Sequence, residues 1–318
     1  MNDLALFLRL SFQLGTPLLF ATLGEILTEK VGHLNLGVEG QMMLGACFGF
    51  YVATYTNNPM LSLLAAILAG GIGALIYAII TVSLLGNQTV TGFAITIFGA
   101  GLSNFVGKRL AGQTLSAEYI TSMGSRSIPF LHRIPFLGTV LFEQSLLFHL
   151  ALLVAIVMYL YQNKTRAGLM MRMVGESPSA ADASGIKVTL IKYVHIVIGG
   201  CLCGLGGAFL SLVYIFRWQD NITSGNGWIA VALVIFSMWN PLKAIGGAYC
   251  FGMLRALSIK FQNISFSVLG MSISFPVQIM DMMPYIMTIF VLIFTSFSKR
   301  SGDHGPVWLG RPYFREDR

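Results

Sequence analysis

Charged residues are scarce in this sequence. Asp, Glu, Lys and Arg make up 10% of its 318 residues, against about a quarter in a typical soluble domain. Positions 40–107 hold none of the four. That deficit excludes an ordinary water-soluble globule. Cysteine is also sparse, and Cys47, Cys201, Cys203 and Cys250 all lie inside apolar runs. Disulfide and metal sites need paired spacing in a polar setting, so neither is expected. These cysteines read as small buried residues. No phosphate loop of the form G-x-x-x-x-G-K-[ST] occurs, which places any ATP hydrolysis on another chain. No nucleophile–base pair and no metal cluster stands out, so an intramembrane enzyme finds no support. The start, Met1-Asn2-Asp3-Leu4, lacks a basic region, and no cleavable signal peptide is expected.

What the sequence has is apolar length. It is 55% hydrophobic, with mean hydropathy +0.73 and 35 glycines. Its apolar runs are long and do not alternate, which argues against an outer-membrane barrel. The reading is an all-α membrane protein, a polytopic bundle of about nine to ten transmembrane helices. Nine hydrophobic segments lie near 4–23, 36–54, 60–85, 89–107, 145–162, 190–215, 228–241, 244–262 and 277–297. Each span needs about 20 apolar residues. Gly32, Gly37, Gly40 and Gly45 could break the second segment in two, giving a tenth element. One transmembrane domain covers 1–300, followed by a tail at 301–318.

The net charge of +7 does not point to nucleic acid. The positives sit at the edges of apolar runs, where they set orientation. Placing the loop 163–189 in the cytoplasm also puts the tail there, with Lys299, Arg300, Arg311, Arg315 and Arg318. The loop 108–144 then lies outside. Its length suggests an ordered external segment, such as an interfacial helix, where a ligand or partner could meet the membrane unit. Trp218, Trp228 and Trp308 read as interface anchors. Gly99 and Gly101, Gly199 and Gly200, Gly204, Gly206 and Gly207, and Gly246 and Gly247 supply small faces for helix packing. A faint similarity between 92–98 and 229–236 is too short to establish a repeat.

Two polar stretches interrupt this pattern. The first reads TEKVGHLNLGVEG over 28–40 and ends at the threshold of a span. Glu39 enters the apolar run itself, and an ionisable group there needs a partner. The second reads KTRAGLMMRMVGESPSAADASG over 164–185. Ser177 can cap a helix, Pro178 suits its first position and Gly185 a stop. The result is a helix of about two turns with almost no apolar face. It reads as a compact knob for another protein or as a plain capped linker.

Both stretches resemble the permease subunits of a bacterial ATP-binding-cassette importer family. That family covers ribose-type sugars, nucleosides and, more distantly, branched-chain amino acids. Its T-E-R-x-G-x-x-N-x-G-x-E-G motif is met by Thr28, Glu29, Asn35, Gly37, Glu39 and Gly40, with Lys30 where Arg is usual. Its later loop motif is met by Thr165, Arg166, Gly168, Arg172, Gly175, Pro178, Ala180, Ala181, Gly185 and Ile186. The resemblance runs over most of the chain and is strongest to the shorter of two nucleoside permeases.

The resemblance implies a type II importer fold in a bacterial cell membrane. It implies a separate ATPase that holds ATP and magnesium, a second homologous permease and an extracytoplasmic binding protein. No cofactor belongs to this chain. The short helix would dock in a groove of the ATPase and transmit its closure to the pore. Gly175, Pro178, Ala180, Ala181 and Gly185 would set its shape. Glu176 and Asp182 could pair with basic groups on the ATPase, while Arg166 and Arg172 read equally well as topology charges. Ala181→Arg is expected to abolish ATP-coupled uptake and leave folding intact.

A nucleoside or sugar path needs hydrogen-bonding groups and aromatic faces. Asn87, Gln88, Thr89, Thr91, Thr96, Ser103 and Asn104 border the fourth segment, and Trp228, Trp239 and Asn240 are further candidates. Each hydroxyl could instead bond back to its own helix. Glu25, Glu39, His149, His195, Arg217, Asp220, Arg255, Lys260 and Asp281 are ionisable groups in or near spans. Arg217 and Asp220 suit a local ion pair, and the two histidines suit capping or packing. A ribose-type importer with two identical permeases is the nearest rival reading. A stand-alone ion-coupled carrier using Asp281 or Glu39 is another.

Overall fold

The computed structural model of the chain describes residues 2–125, 136, 138–262, 265–268, 271–274, 282–283, 285–290, 293 and 305–314. It is a helical bundle. In chain order come α1 (Asn2–Lys30), α2 (Val38–Thr56), α3 (Pro59–Ala78), α4 (Gln88–Gly107) and the short α5 (Ala117–Met123). Then follow α6 (Leu146–Lys164), α7 (Arg166–Glu176), α8 (Pro178–Ala183), α9 (Val188–Phe209), α10 (Asn226–Phe236) and α11 (Pro241–Gln262). A small antiparallel hairpin pairs β1 (Ser265–Val268) with β2 (Met271–Ser274). Single π-helical turns extend α3 and α9.

Helix starts follow local chemistry. Asn58, Asn87, Ser145, Thr165 and Ser177 each accept a backbone N–H in the first turn of α3, α4, α6, α7 and α8. Such caps satisfy donors that have no partner inside the helix. Pro59 and Pro178 take the first helical positions, where a missing N–H costs nothing.

Helix α9 is the spine, packed against α1, α2 and α3. Its glycines permit this. Gly199 lies against Gly24 of α1, and Gly204 against Gly45 of α2 and Gly70 of α3. A Cβ at any of these points would run into the facing backbone. Small residues are what let helices approach where lipid gives no hydrophobic drive. The same holds for Gly40 of α2 against Gly99 of α4.

Among the described residues, five helices are long and apolar enough to cross a membrane: α1, α4, α6, and α3 and α9 with their π-helical extensions. Two expectations change. The break foreseen inside the second segment lies before it, at 31–37, and α2 runs unbroken through Gly40 and Gly45. The segment 228–241 yields only the 11-residue α10. At about 1.5 Å per residue, this is half the thickness of a bilayer core. Most of the ninth segment, with Asp281, lies outside the described residues. Helix α5 provides order in the 108–144 loop: Ser116 caps it and the Tyr119 hydroxyl meets Ser62 of α3.

Candidate functional site

The first motif builds a re-entrant segment. Helix α1 stops at Lys30, and Gly32 adopts φ +85°, a left-handed turn that a side chain would strain. The chain then runs back along α1. The Asn35 N–H bonds to Oε1 of Glu25 (3.1 Å), its Oδ1 accepts from Gly37 N (2.9 Å), and its Nδ2 donates to Gln41 (3.3 Å). Leu34 N donates to Gln88 Oε1 (2.8 Å), and the Leu34 carbonyl accepts from the Tyr77 hydroxyl (2.7 Å). The Leu36 carbonyl accepts from Thr96 (2.8 Å). Irregular backbone survives inside an apolar bundle only if its polar groups are met in this way.

Two carboxylates of the motif hold the two ends of the half-helix α10. Glu39 lies in the first turn of α2 and accepts from the Thr223 hydroxyl, Gly225 N (2.9 Å) and Gly227 N (2.6 Å). Its charge therefore sits at the positive ends of two helices at once, where anions are favoured. Gly227 packs directly on the Glu39 backbone, leaving no room for a side chain. At the other end of α10, the indole N–H of Trp239 donates to Glu29. Arg255 of α11 bonds to Asn226, the first residue of α10. The partner expected for Glu39 is thus a set of neutral donors, not a cation.

The second motif forms a capped helix pair. Thr165 caps α7, Ser177 caps α8 and accepts from Ala180 N (3.4 Å), and Gly185 ends the pair at φ +79°. The sequence reading missed α7, although the Thr165 hydroxyl three residues past the segment 145–162 gave the signal. It also misjudged α8. Ala181 is fully buried, with Pro178 beside it. An Arg at 181 would disrupt packing, so that substitution cannot leave folding intact. The outward face of α8 is Ser179, Ala180 and Ala183.

Segment 305–314 lies across this pair. Trp308 N donates to the Gly175 carbonyl (3.0 Å) and Val307 N to Glu176 (3.3 Å). The Tyr313 hydroxyl donates to Asp182 (3.1 Å). The two carboxylates proposed for an ATPase are therefore engaged within the chain. Gly310 N reaches the Gly32 carbonyl (3.1 Å), and the Arg311 carbonyl accepts from Gln88 (3.4 Å).

The proposed path residues divide. Asn87 caps α4, Gln88 and Thr96 tie down the re-entrant segment, and Thr91 bonds back to Asn87. Ser103 is buried beside Cys47, and Asn104 reaches Asn221 (3.5 Å). Thr89 is exposed. Asn240 caps the start of α11, and Trp228 lies against Phe93 with its ring tilted by 36° (5.5 Å between rings). Around them, Val90, Phe93, Ile97 and Phe105 form an exposed apolar face of α4.

Other groups are structural. His149 bonds to two carbonyls, and His195 bonds to Tyr161 and the Ile191 carbonyl. Arg217 and Asp220 do not form the expected ion pair; among the described residues the pair within 4 Å is Arg9–Glu143. Trp218 is not an interface anchor but a core residue against Gly107 and Phe50. Among the described residues no His, Cys, Asp and Glu group is placed to hold a metal.

Comparison with known proteins agrees with this architecture. A protein of Haloferax volcanii named "Putative glucose ABC transporter permease protein TsgC13" is 36% identical over 90% of each chain. The guanosine ABC transporter permease protein NupQ of Bacillus subtilis is 33% identical over 95% of this chain and 94% of its own. The guanosine permease protein NupP of the same organism is 24% identical, over 87% of this chain and 78% of its own. The fold resembles a structure described as "An inward-facing conformation of a putative metal-chelate type ABC transporter". That match has a TM-score of 0.51 at 14% identity and covers 90% of this chain and 86% of the other. The family model for the permease component of branched-chain amino acid transport systems matches residues 8–292, and the chain belongs to that family as a multi-pass membrane subunit of a transport system.

Proposed function

We propose that this permease carries nucleosides as part of an ATP-driven importer in a bacterial cell membrane. The observation that carries the reading is the 33% identity to a guanosine permease over nearly the whole of both chains. ATP and magnesium are held by a separate ATPase, and a binding protein delivers the substrate from outside. The α7–α8 end faces the cytoplasm, with α8 as the ATPase docking element. Its exposed Ser179, Ala180 and Ala183 offer a small, rigid face for a groove. The re-entrant segment and α10 form the movable part of the pathway wall. The Phe93–Trp228 pair supports the nucleoside reading, because an aromatic face suits a nucleobase.

A second permease completes the path. Two guanosine permeases of Bacillus subtilis, unequal in similarity, both match this chain, which favours a mixed pair over two identical copies. A sugar substrate is the second reading, favoured by the 36% identity to the glucose-type permease. Uptake of labelled guanosine and of labelled glucose decides between them in cells expressing the complete transporter. Guanosine uptake that excess adenosine inhibits and excess glucose does not is the expected result. Glucose uptake insensitive to nucleosides would move the assignment to sugars.

A further inference from the structure

Segment 305–314 is not a loose end. It folds on itself: Leu309 N bonds to the Pro306 carbonyl (3.1 Å), Arg311 N to the Trp308 carbonyl (3.2 Å) and the Trp308 indole to the Pro312 carbonyl (3.3 Å). The Arg311 guanidinium stacks over the Trp308 ring at 6.0 Å. Gly310 makes the left-handed turn, at φ +79°.

This ordered turn touches α7, α8 and the re-entrant segment, and reaches α10 through Trp239. Trp308 and Val307 hold the end of α7, and Tyr313 holds α8 through Asp182. Gly310 holds Gly32 at the hinge of the re-entrant segment, and Arg311 holds Gln88, which itself binds Leu34. Gly305 packs on the ring of Trp239, the residue that Glu29 uses to hold α10. The Lys192 ammonium of α9 lies over the Tyr313 ring at 5.8 Å. The segment leaves Ser179, Ala180 and Ala183 exposed, so it does not cover the outward face of α8.

We propose that segment 305–314 is a tie that makes α8, the re-entrant segment and the C-terminal end of α10 move as one body. It rests on the reading of α8 as the ATPase docking element. A push on α8 reaches the pathway only through rigid contacts. The direct contact of Gly175 with the Lys30 carbonyl joins α7 to α1. The tie extends that join to the hinge at Gly32 and to α10.

The test uses the complete transporter in proteoliposomes, with uptake and ATP hydrolysis measured together. Deleting 305–318 is expected to leave the ATPase bound and hydrolysing at the native rate, while uptake per ATP falls roughly tenfold. Tyr313→Phe should give a smaller loss of the same kind. Cysteines at Glu176→Cys and Val307→Cys, both exposed, allow the tie to be cross-linked to α7. Oxidised, cross-linked transporter should have at least the uptake per ATP of the same double variant kept reduced, since the joined parts travel together. Arrest by the cross-link would overturn the proposal. So would unchanged uptake per ATP in the deletion, a parallel fall of uptake and hydrolysis, or loss of the bound ATPase. If the native chain itself binds no ATPase, the reading of α8 fails instead.

Discussion

Glu39 shows how one residue can fix a backbone. Its carboxylate accepts two backbone N–H groups at the start of α10 as well as the Thr223 hydroxyl. Hydrogen bonds to a charged group contribute about 1.5–3 kcal/mol each. Glu39→Ala should therefore lower the thermal midpoint of the purified transporter more than Glu39→Gln, which keeps one acceptor oxygen. Equal midpoints for the two variants would show that the carboxylate is not what holds α10. The sequence revealed that Glu39 needs a partner, because a charge inside an apolar run must be met. It could not reveal which, since Thr223 and Gly227 are more than 180 positions away.

His33 makes a second residue-scale prediction. It is 1% exposed, and neither ring nitrogen has a hydrogen-bond partner. Burial, aided by the nearby Lys192 cation, pushes its pKa well below the ordinary histidine value. The unfolded chain then binds the proton more tightly, near pH 6.5. Stability from neutral His33 is complete above that pH and is lost as pH falls toward the folded value. His33→Leu should remove this part of the acid slope in thermal midpoint, measured from pH 7.5 to 5. An unchanged slope would place the sensitivity in other groups.

Individual elements were legible where one local pattern sufficed. The cap at Ser177, Pro178 and the stop at Gly185 gave α8 nearly to the residue. The buried side of α8 was not legible, because it depends on neighbours from α7 and α9. This changes the choice of mutation. Ala180→Arg, on the exposed face, should leave expression and thermal midpoint close to native and cut ATP-coupled uptake severely. Ala181→Arg should instead lower the amount of folded protein, since a buried charge without a partner costs several kcal/mol. Uptake at the native level with Ala180→Arg would remove α8 from the docking role. The half-helix α10 was misread as a span because apolar composition alone does not show where a helix stops. Its start is set by Gly225 at φ +79° and by the distant Glu39.

At the scale of the whole molecule, the packed spine around α9 contrasts with α4, which turns a broad apolar face outward. Phe105 and Ile97 are more than 70% exposed on it. A side chain built at Gly101, midway along that face, would meet nothing within 4 Å. Lipid and a partner permease would both cover such a face, but they respond differently to bulk. Lipid yields to a larger apolar side chain, whereas a close-packed interface or a pore wall does not. Gly101→Trp should therefore let the chain fold and insert at native yield. If α4 faces the second permease or the pathway, as a mixed pair requires of some face, uptake should fall at least tenfold. The second permease should also co-purify less well if the face is the contact rather than the pore. Native uptake by Gly101→Trp would assign the α4 face to lipid, and the partner would then have to dock elsewhere on the bundle.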